Sequence, residues 1–186
     1  MDVASLLASA GYRVIVPYLR GYGTTRFLSS DTIRNGQQSV VALDIIALMD
    51  ALKIDRATIG GFDWGARTAN ILAALWPERC KATVSVSGYL IGSPAANKAP
   101  LPIGLAEGER QYDDLEKRLA AGPVITVPTI TLEGDANGAP HPDSSAYAKK
   151  FTGKYAYRLV SGGIGHNLPQ EAPQAFAKAI MDADSL

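Results

Sequence analysis

The sequence predicts an α/β fold: a mostly parallel sheet flanked by helices, in a single domain over residues 1–186. Three observations predict it. Short β-branched runs alternate with stretches of helical period, the pattern of parallel strands joined by crossover helices. Glycine and proline fall at the junctions between them. The 186 residues are 47% hydrophobic and 19% charged, which suits one ordinary core.

Taken in order, residues 2–10 read as a helix stopped by Gly11 at the C′ position. Arg13, Val14, Ile15 and Val16 read as a strand ended by Pro17. Residues 36–52 read as a helix carrying Val41, Ile45, Leu48 and Leu52 on one face. A short strand is expected at 57–60, then a helix at 65–76 stopped by Pro77. Thr83, Val84 and Val86 mark a strand at 81–87. Further strands are expected at 128–132 and 155–160, with helices at 107–121, 144–151 and 171–184. The loosest stretch is 88–104, which holds Pro94, Pro100 and Pro102.

Composition excludes several function classes. Eighteen basic and eighteen acidic residues cancel, so there is no electrostatic footprint for nucleic acid or an anionic membrane. No run of about 18 apolar residues exists to span a bilayer. The opening residues Met1-Asp2-Val3 lack the basic region of a secretory signal, and a cytoplasmic location is expected. Cys80 is the only cysteine, which excludes an internal disulfide framework and a multi-cysteine metal site. No metal and no cofactor are expected. His141 and His166 are the only imidazoles.

The chemistry concentrates in one turn. Gly61-Phe62-Asp63-Trp64-Gly65 follows a strand and opens a helix, with the spacing of a nucleophile elbow and aspartate in the central place. The central residue of such an elbow sits on a strained turn, so bulk is expected to be excluded two positions to either side. Gly65, Ala69 and Ala73 then supply small residues for close helix–sheet packing. A plain strand-to-helix turn with an N-capping aspartate shares this spacing.

The segment from Asp63 to Arg67 (Asp-Trp-Gly-Ala-Arg) resembles the elbow of the aspartate-nucleophile α/β-hydrolases, the epoxide hydrolases and the haloalkane and haloacid dehalogenases of that fold. Gly11 to Pro17 and Leu19-Arg20-Gly21-Tyr22-Gly23 resemble the family's fourth strand and its loop. Leu132-Glu133-Gly134-Asp135 resembles the strand end that carries the acid, and Gly165-His166-Asn167 the histidine loop. The resemblance runs over nearly the whole chain in the right order. It implies Asp63 as nucleophile, His166 as the base that activates water, and Asp135 as the acid that holds the imidazole, with Glu133 as the fallback. It implies Trp64 as an oxyanion donor through its backbone N–H, and as an indole donor to a leaving halide or an apolar wall. The activity implied is epoxide hydrolysis through an aspartyl ester. The alternatives are a haloalkane or haloacid dehalogenase, and a small-molecule-binding relative or fragment without turnover. The substrate implied is a small apolar epoxide or organohalide, and a homo-oligomer is left open.

Other residues read as structural. His141 is expected on a surface loop, and Arg20 and Arg67 in loop and helix structure. Ser161-Gly162-Gly163-Ile164-Gly165 is expected to be a tight loop, not a phosphate cradle, and Asp113, Asp114 and Glu116 a solvated helix face. Against the family pattern, the chain lacks the strands that precede its first helix and most of the helical cap, with 88–106 as what remains of the cap insertion point. Tyr89 and Tyr112 do not match the lid tyrosines. The strand expected at 13–16 is left without a neighbour on the nucleophile side.

Overall fold

The structure, a computed structural model, describes residues 2–92, 111–138 and 143–186. Most of the stretch 88–106, the start of the helix expected at 107–121, and His141 lie outside the described residues. The elements are α1 (Asp2–Ser9), α2 (Gln38–Ala51), β1 (Ala57–Gly61), α3 (Trp64–Leu75), β2 (Cys80–Val86), α4 (Asp113–Ala120), β3 (Thr129–Gly134), α5 (Ser144–Tyr147), β4 (Tyr155–Val160), α6 (Leu168–Glu171) and α7 (Pro173–Asp184). The four strands form one parallel sheet in the order β1-β2-β3-β4. No described helix is long and apolar enough to cross a membrane.

Local chemistry accounts for most boundaries. Gly11 adopts φ 89°, and the Tyr12 N–H reaches back to the Leu7 carbonyl at 3.1 Å, closing α1 as its C′ glycine should. Pro77 ends α3 one residue after its C-cap. The helix expected at 171–184 starts at Pro173, with a separate turn, α6, before it. Proline suits the first turn of α7, where its missing N–H leaves no carbonyl unpaired.

Helices cover both faces of the sheet. On one, Ala82, Val84, Val86, Ile130 and Leu132 pack against Leu7 of α1 and Phe176, Ala177 and Ile180 of α7. On the other, α3 lies between the sheet and α2, which explains why eight of its residues are buried rather than a single stripe. The strands are not apolar on both faces. Thr83, Ser85, Thr129, Thr131 and Glu133 are buried polar residues at alternating positions, opposite the aliphatic face. All but Thr83, whose Oγ1 is buried without a partner among the described residues, find partners within the core. Asn70 of α3 donates to Ser85 Oγ at 2.8 Å, Ser85 Oγ donates to the Gly88 carbonyl at 2.8 Å, and Thr131 Oγ1 pairs with the Tyr155 hydroxyl at 2.8 Å.

Three expectations are corrected. Tyr12 and Val14 pack on the core with Arg13 and Ile15 outward, but the alternation stops at Val16, which is exposed, and residues 13–16 join no ladder. A strand needs a partner for its N–H and C=O groups, and β1 is the edge of the described sheet. The inner face of α2 is Ser39, Val40, Val41, Ala42 and Met49, while Leu52 is exposed. Glu116 is not a solvated residue: it accepts from Ser39 N at 3.0 Å and Ser39 Oγ at 2.5 Å, capping the start of α2 from α4. Asp114 fits the solvated reading, in an exposed pair with Lys117.

Asn70 is fully buried and spends its amide on Ser85 Oγ and its carbonyl on the Leu90 N–H at 3.0 Å. Asn70→Ala strands both partners, so a loss of about 1–3 kcal/mol in urea-unfolding free energy is expected.

Candidate active site

The site is built at the carboxyl ends of the strands, where the loops of a parallel sheet converge. Asp63 follows β1 and stands at φ 51°, ψ −124°, a backbone conformation that costs a non-glycine residue energy. The turn survives because Gly61 lacks a side chain: a Cβ there would overlap the carbonyl of Gly65. A Cβ on Gly65 itself would meet nothing within 4 Å, so the steric demand falls on Gly61 alone. The Asp63 carbonyl accepts the Arg67 N–H at 3.0 Å, so the first turn of α3 anchors the strained residue. Trp64 opens α3, where a backbone N–H has no partner within its own helix.

His166 arrives from the loop after β4. Its Nε2 lies 3.7 Å from Asp63 Oδ2, longer than a hydrogen bond but within reach of a bridging atom. Phe62 meets the imidazole edge-on at 6.3 Å. Both side chains are open to solvent, 59% for Asp63 and 41% for His166, yet His166 Nδ1 is buried and has no hydrogen-bond partner. Glu171 of α6 fixes the loop from one side, accepting the Gly165 N–H at 2.6 Å and the Asn167 N–H at 3.2 Å. The sequence reading missed this clamp. Its signal was a carboxylate in the first turn after Asn167, a variant of the capping box.

Asp135 holds the same loop from the other side. Its Oδ2 accepts the Gly162 N–H and its Oδ1 the Gly163 and Ile164 N–H groups, each at 2.9 Å. These amides, Gly162 first and then Ile164 and Gly163, hold the Asp135 carboxyl below its ordinary range. The glycine-rich loop is therefore an anion nest, filled by the protein's own carboxylate. Asp135 is expected to hold the imidazole; in the structure its oxygens accept three loop amides, and none of its hydrogen bonds goes to His166. The structure brings Asp63 and His166 together, and Asp135 to the backbone of the histidine loop.

Glu133, the fallback acid, is 4% exposed and accepts from Asn137 Nδ2 at 2.7 Å. The same Nδ2 lies 3.2 Å from Ser87 Oγ. Ser87 also has a left-handed backbone, φ 68°, at the end of β2.

The remaining residues fall outside the reacting pair. Trp64 is 45% exposed, with the Arg67 guanidinium over its ring at 5.2 Å. Arg20 is structural, bound to both carboxylate oxygens of Asp44 at 2.6 Å and to the Asn35 carbonyl at 2.8 Å. The Tyr89 hydroxyl donates to the Pro123 carbonyl at 2.6 Å. Tyr112 lines a cavity of about 930 Å³ under the 16–35 loop, which neither Asp63 nor His166 lines. Among the described residues no three His, Cys, Asp or Glu side chains cluster as a metal site.

Comparison with known proteins agrees with this geometry. A family model described as the alpha/beta hydrolase fold matches residues 1–121. An epoxide hydrolase of Caballeronia sordidicola is 41% identical over 81 residues, 44% of this chain and 24% of its own length. A haloalkane dehalogenase of Psychrobacter cryohalolentis is 29% identical over 150 residues, 75% of this chain and 45% of its own length. The matched parts thus span between a quarter and a half of these curated relatives. A crystal structure from Klebsiella pneumoniae, assigned as an epoxide hydrolase, superposes with a TM-score of 0.91 at 45% identity, covering 99% of this chain and 84% of that one. The sheet order, the strained elbow and these matches together place the chain in the alpha/beta hydrolase fold family, among epoxide hydrolase-like relatives.

Proposed function

We propose that this chain is the core of an epoxide hydrolase-like enzyme that works through an ester on Asp63. The observation that carries the reading is the strained elbow aspartate with an imidazole nitrogen 3.7 Å away. A carboxylate is ionised at neutral pH and needs no base to attack. An Asp63 oxygen attacks an epoxide carbon, the ring C–O bond breaks, and the ring oxygen leaves as an alkoxide that takes a proton from solvent water, leaving hydroxide. His166 Nε2 then removes a proton from water, and the hydroxide adds to the ester carbonyl carbon. The tetrahedral oxyanion faces the Trp64 backbone N–H. Collapse breaks the acyl C–O bond, the proton of the added hydroxyl passes to the departing alkoxide to release a diol and restore the Asp63 carboxylate, and His166 gives its proton back to the solvent hydroxide. Asp135 acts by shaping the loop that delivers His166.

A second reading is dehalogenation, in which the same attack expels halide. The Psychrobacter relative and the exposed Trp64 beside Asp63 favour it. Parallel assays on epoxide and haloalkane panels separate the two. Recovery of bound but unaltered substrate from both panels would point to a binding protein.

Asp63→Asn replaces the nucleophile by a neutral amide. Ester formation, read by intact mass after substrate addition, is expected to vanish; initial turnover equal to the parent, without deamidation, would remove Asp63 from its role. His166→Gln leaves the first step and removes the second. The ester should accumulate, with its hydrolysis slowed by about 10²–10⁴-fold. A folded variant showing neither burst nor adduct would overturn the two-step scheme.

Asp135 supplies a pH test. Its folded carboxyl is lowered, so its contribution is complete above the unfolded value of about 3.9 and fades as pH falls through the lower folded value. Asp135→Ala should lower the melting temperature at neutral pH and flatten the acid-side loss of stability. Thermal melts from neutral to strongly acidic pH check this. Superimposable pH profiles for the variant and its parent would show that the nest contributes nothing.

A further inference from the structure

The chain holds two Asn–Gly pairs, Asn35-Gly36 and Asn137-Gly138. Asparagine before glycine is prone to self-attack, because the next backbone nitrogen can reach the side-chain carbonyl carbon with no side chain in the way. The structure treats the two pairs differently. Asn35 is 5% exposed, and Gln37 holds both ends of its amide. The Gln37 N–H donates to Asn35 Oδ1 at 2.8 Å, and Asn35 Nδ2 donates to Gln37 Oε1 at 3.0 Å. An amide fixed at both ends and shielded from water is held from turning its carbon toward the Gly36 nitrogen.

Asn137 closes the turn after β3, its N–H donating to the Gly134 carbonyl at 3.3 Å. It is half-buried, and Gly138 beside it is exposed. Its side-chain nitrogen is held in the core: Nδ2 donates to Glu133 Oε1 at 2.7 Å and lies 3.2 Å from Ser87 Oγ. That nitrogen is the leaving group of a self-attack. A carboxylate against it stabilises the positive charge that it gains when protonated. Gly138 has no left-handed backbone, and a Cβ built on it would meet nothing within 4 Å. Neither conformation nor packing among the described residues therefore requires glycine at 138, and alanine fits there.

We propose that Asn137-Gly138 is a self-modification site, at which slow deamidation unties the turn after β3 from the core. Solvent hydroxide takes the Gly138 N–H proton, and the nitrogen attacks Asn137 Cγ. The new N–Cγ bond forms, the Cγ–Nδ2 bond breaks, and ammonia leaves with the proton returned by water. A second water opens the cyclic imide at either carbonyl, leaving aspartate or isoaspartate at position 137. The net change is one water consumed and one ammonia released, with nothing oxidised or reduced. Aspartate sets a carboxylate against Glu133 in place of a donor, and Glu133 is 4% exposed, so little solvent screens the repulsion. Isoaspartate adds a methylene to the backbone of the turn that carries Asp135. Both products bear on the histidine loop, because the Ala136 N–H of the same turn donates to the Ile164 carbonyl at 2.9 Å. A Cβ on Gly134 would overlap that carbonyl, so the turn and the loop are in close contact.

The test uses no substrate, so its outcome is independent of the hydrolase reading. The purified chain is kept warm in mildly alkaline buffer and sampled over time. Peptide mass mapping should find acid replacing amide at position 137 and an intact amide at Asn35. Methyl transfer from S-adenosylmethionine by an isoaspartyl methyltransferase should report the isoaspartate at the same peptide. Amide hydrogen exchange at Gly162, Gly163 and Ile164 should rise in step with the conversion. Gly138→Ala should melt as the parent does and reduce conversion to background. Asn137→Asp carries one of the two products and should melt about 2–10 °C below the parent. If Asn137→Asp does not fold, the aged parent carries the same melting measurement. An amide still intact at Asn137, conversion at Asn35 as fast as at Asn137, or equal conversion in Gly138→Ala would each overturn the site. Unchanged melting and exchange in the fully converted chain would overturn the untying of the turn.

Discussion

The site depends on the tie between the Asp135 carboxylate and the amides of Gly162, Gly163 and Ile164. His166 sits on a loop with no secondary structure of its own, at the far edge of the sheet from Asp63. A loop alone would not hold an imidazole within 4 Å of a carboxylate one hundred residues away. Three hydrogen bonds from amide N–H groups to a carboxylate are short-range and directional, and they are stronger than neutral ones. They join the turn after β3 to the loop after β4. Glu171 closes the loop on its other side, so the histidine is delivered from a segment held at two points.

The nucleophile is held differently. Asp63 takes an unfavourable backbone conformation, and the surrounding structure leaves it no other. Gly61 admits the Gly65 carbonyl, α3 begins at once, and α3 is buried between the sheet and α2. The strain at Asp63 is thus supported by the packing of the whole helix. Glu116 extends that support by capping α2 from α4, which couples the outer layer to the layer beneath it.

The sheet has an apolar face and a polar one, and the polar face leads to the site. Thr83, Ser85, Thr129, Thr131 and Glu133 line it, with Asn70, Tyr147 and Tyr155 among the residues that cover it. Buried hydroxyls and amides are costly unless paired, and most of these are paired with one another. Such a network is rigid because each member has few alternative partners. It ends at Ser87, Glu133 and Asn137, directly at the carboxyl ends of β2 and β3.

Much of this was legible in the sequence. The strand–helix alternation marked four of the strands and most of the helices. The elbow spacing around Asp63 and the loop before His166 stand out because their chemistry depends on backbone geometry within a few residues. Glycine at 61 is a local requirement, and local requirements leave a local trace. Tertiary structure alone decided the partners. Residues 13–16 have the pattern of a strand, but a strand exists only where another chain segment meets its hydrogen bonds. Asp135, Glu133 and Glu116 are each a carboxylate near a turn or a helix start in the sequence. Which donors they meet is set by elements 27 to 77 residues distant or by burial in the core. Spacing along the chain determines what a residue can do to its own backbone; the packing of the sheet determines which distant group it faces.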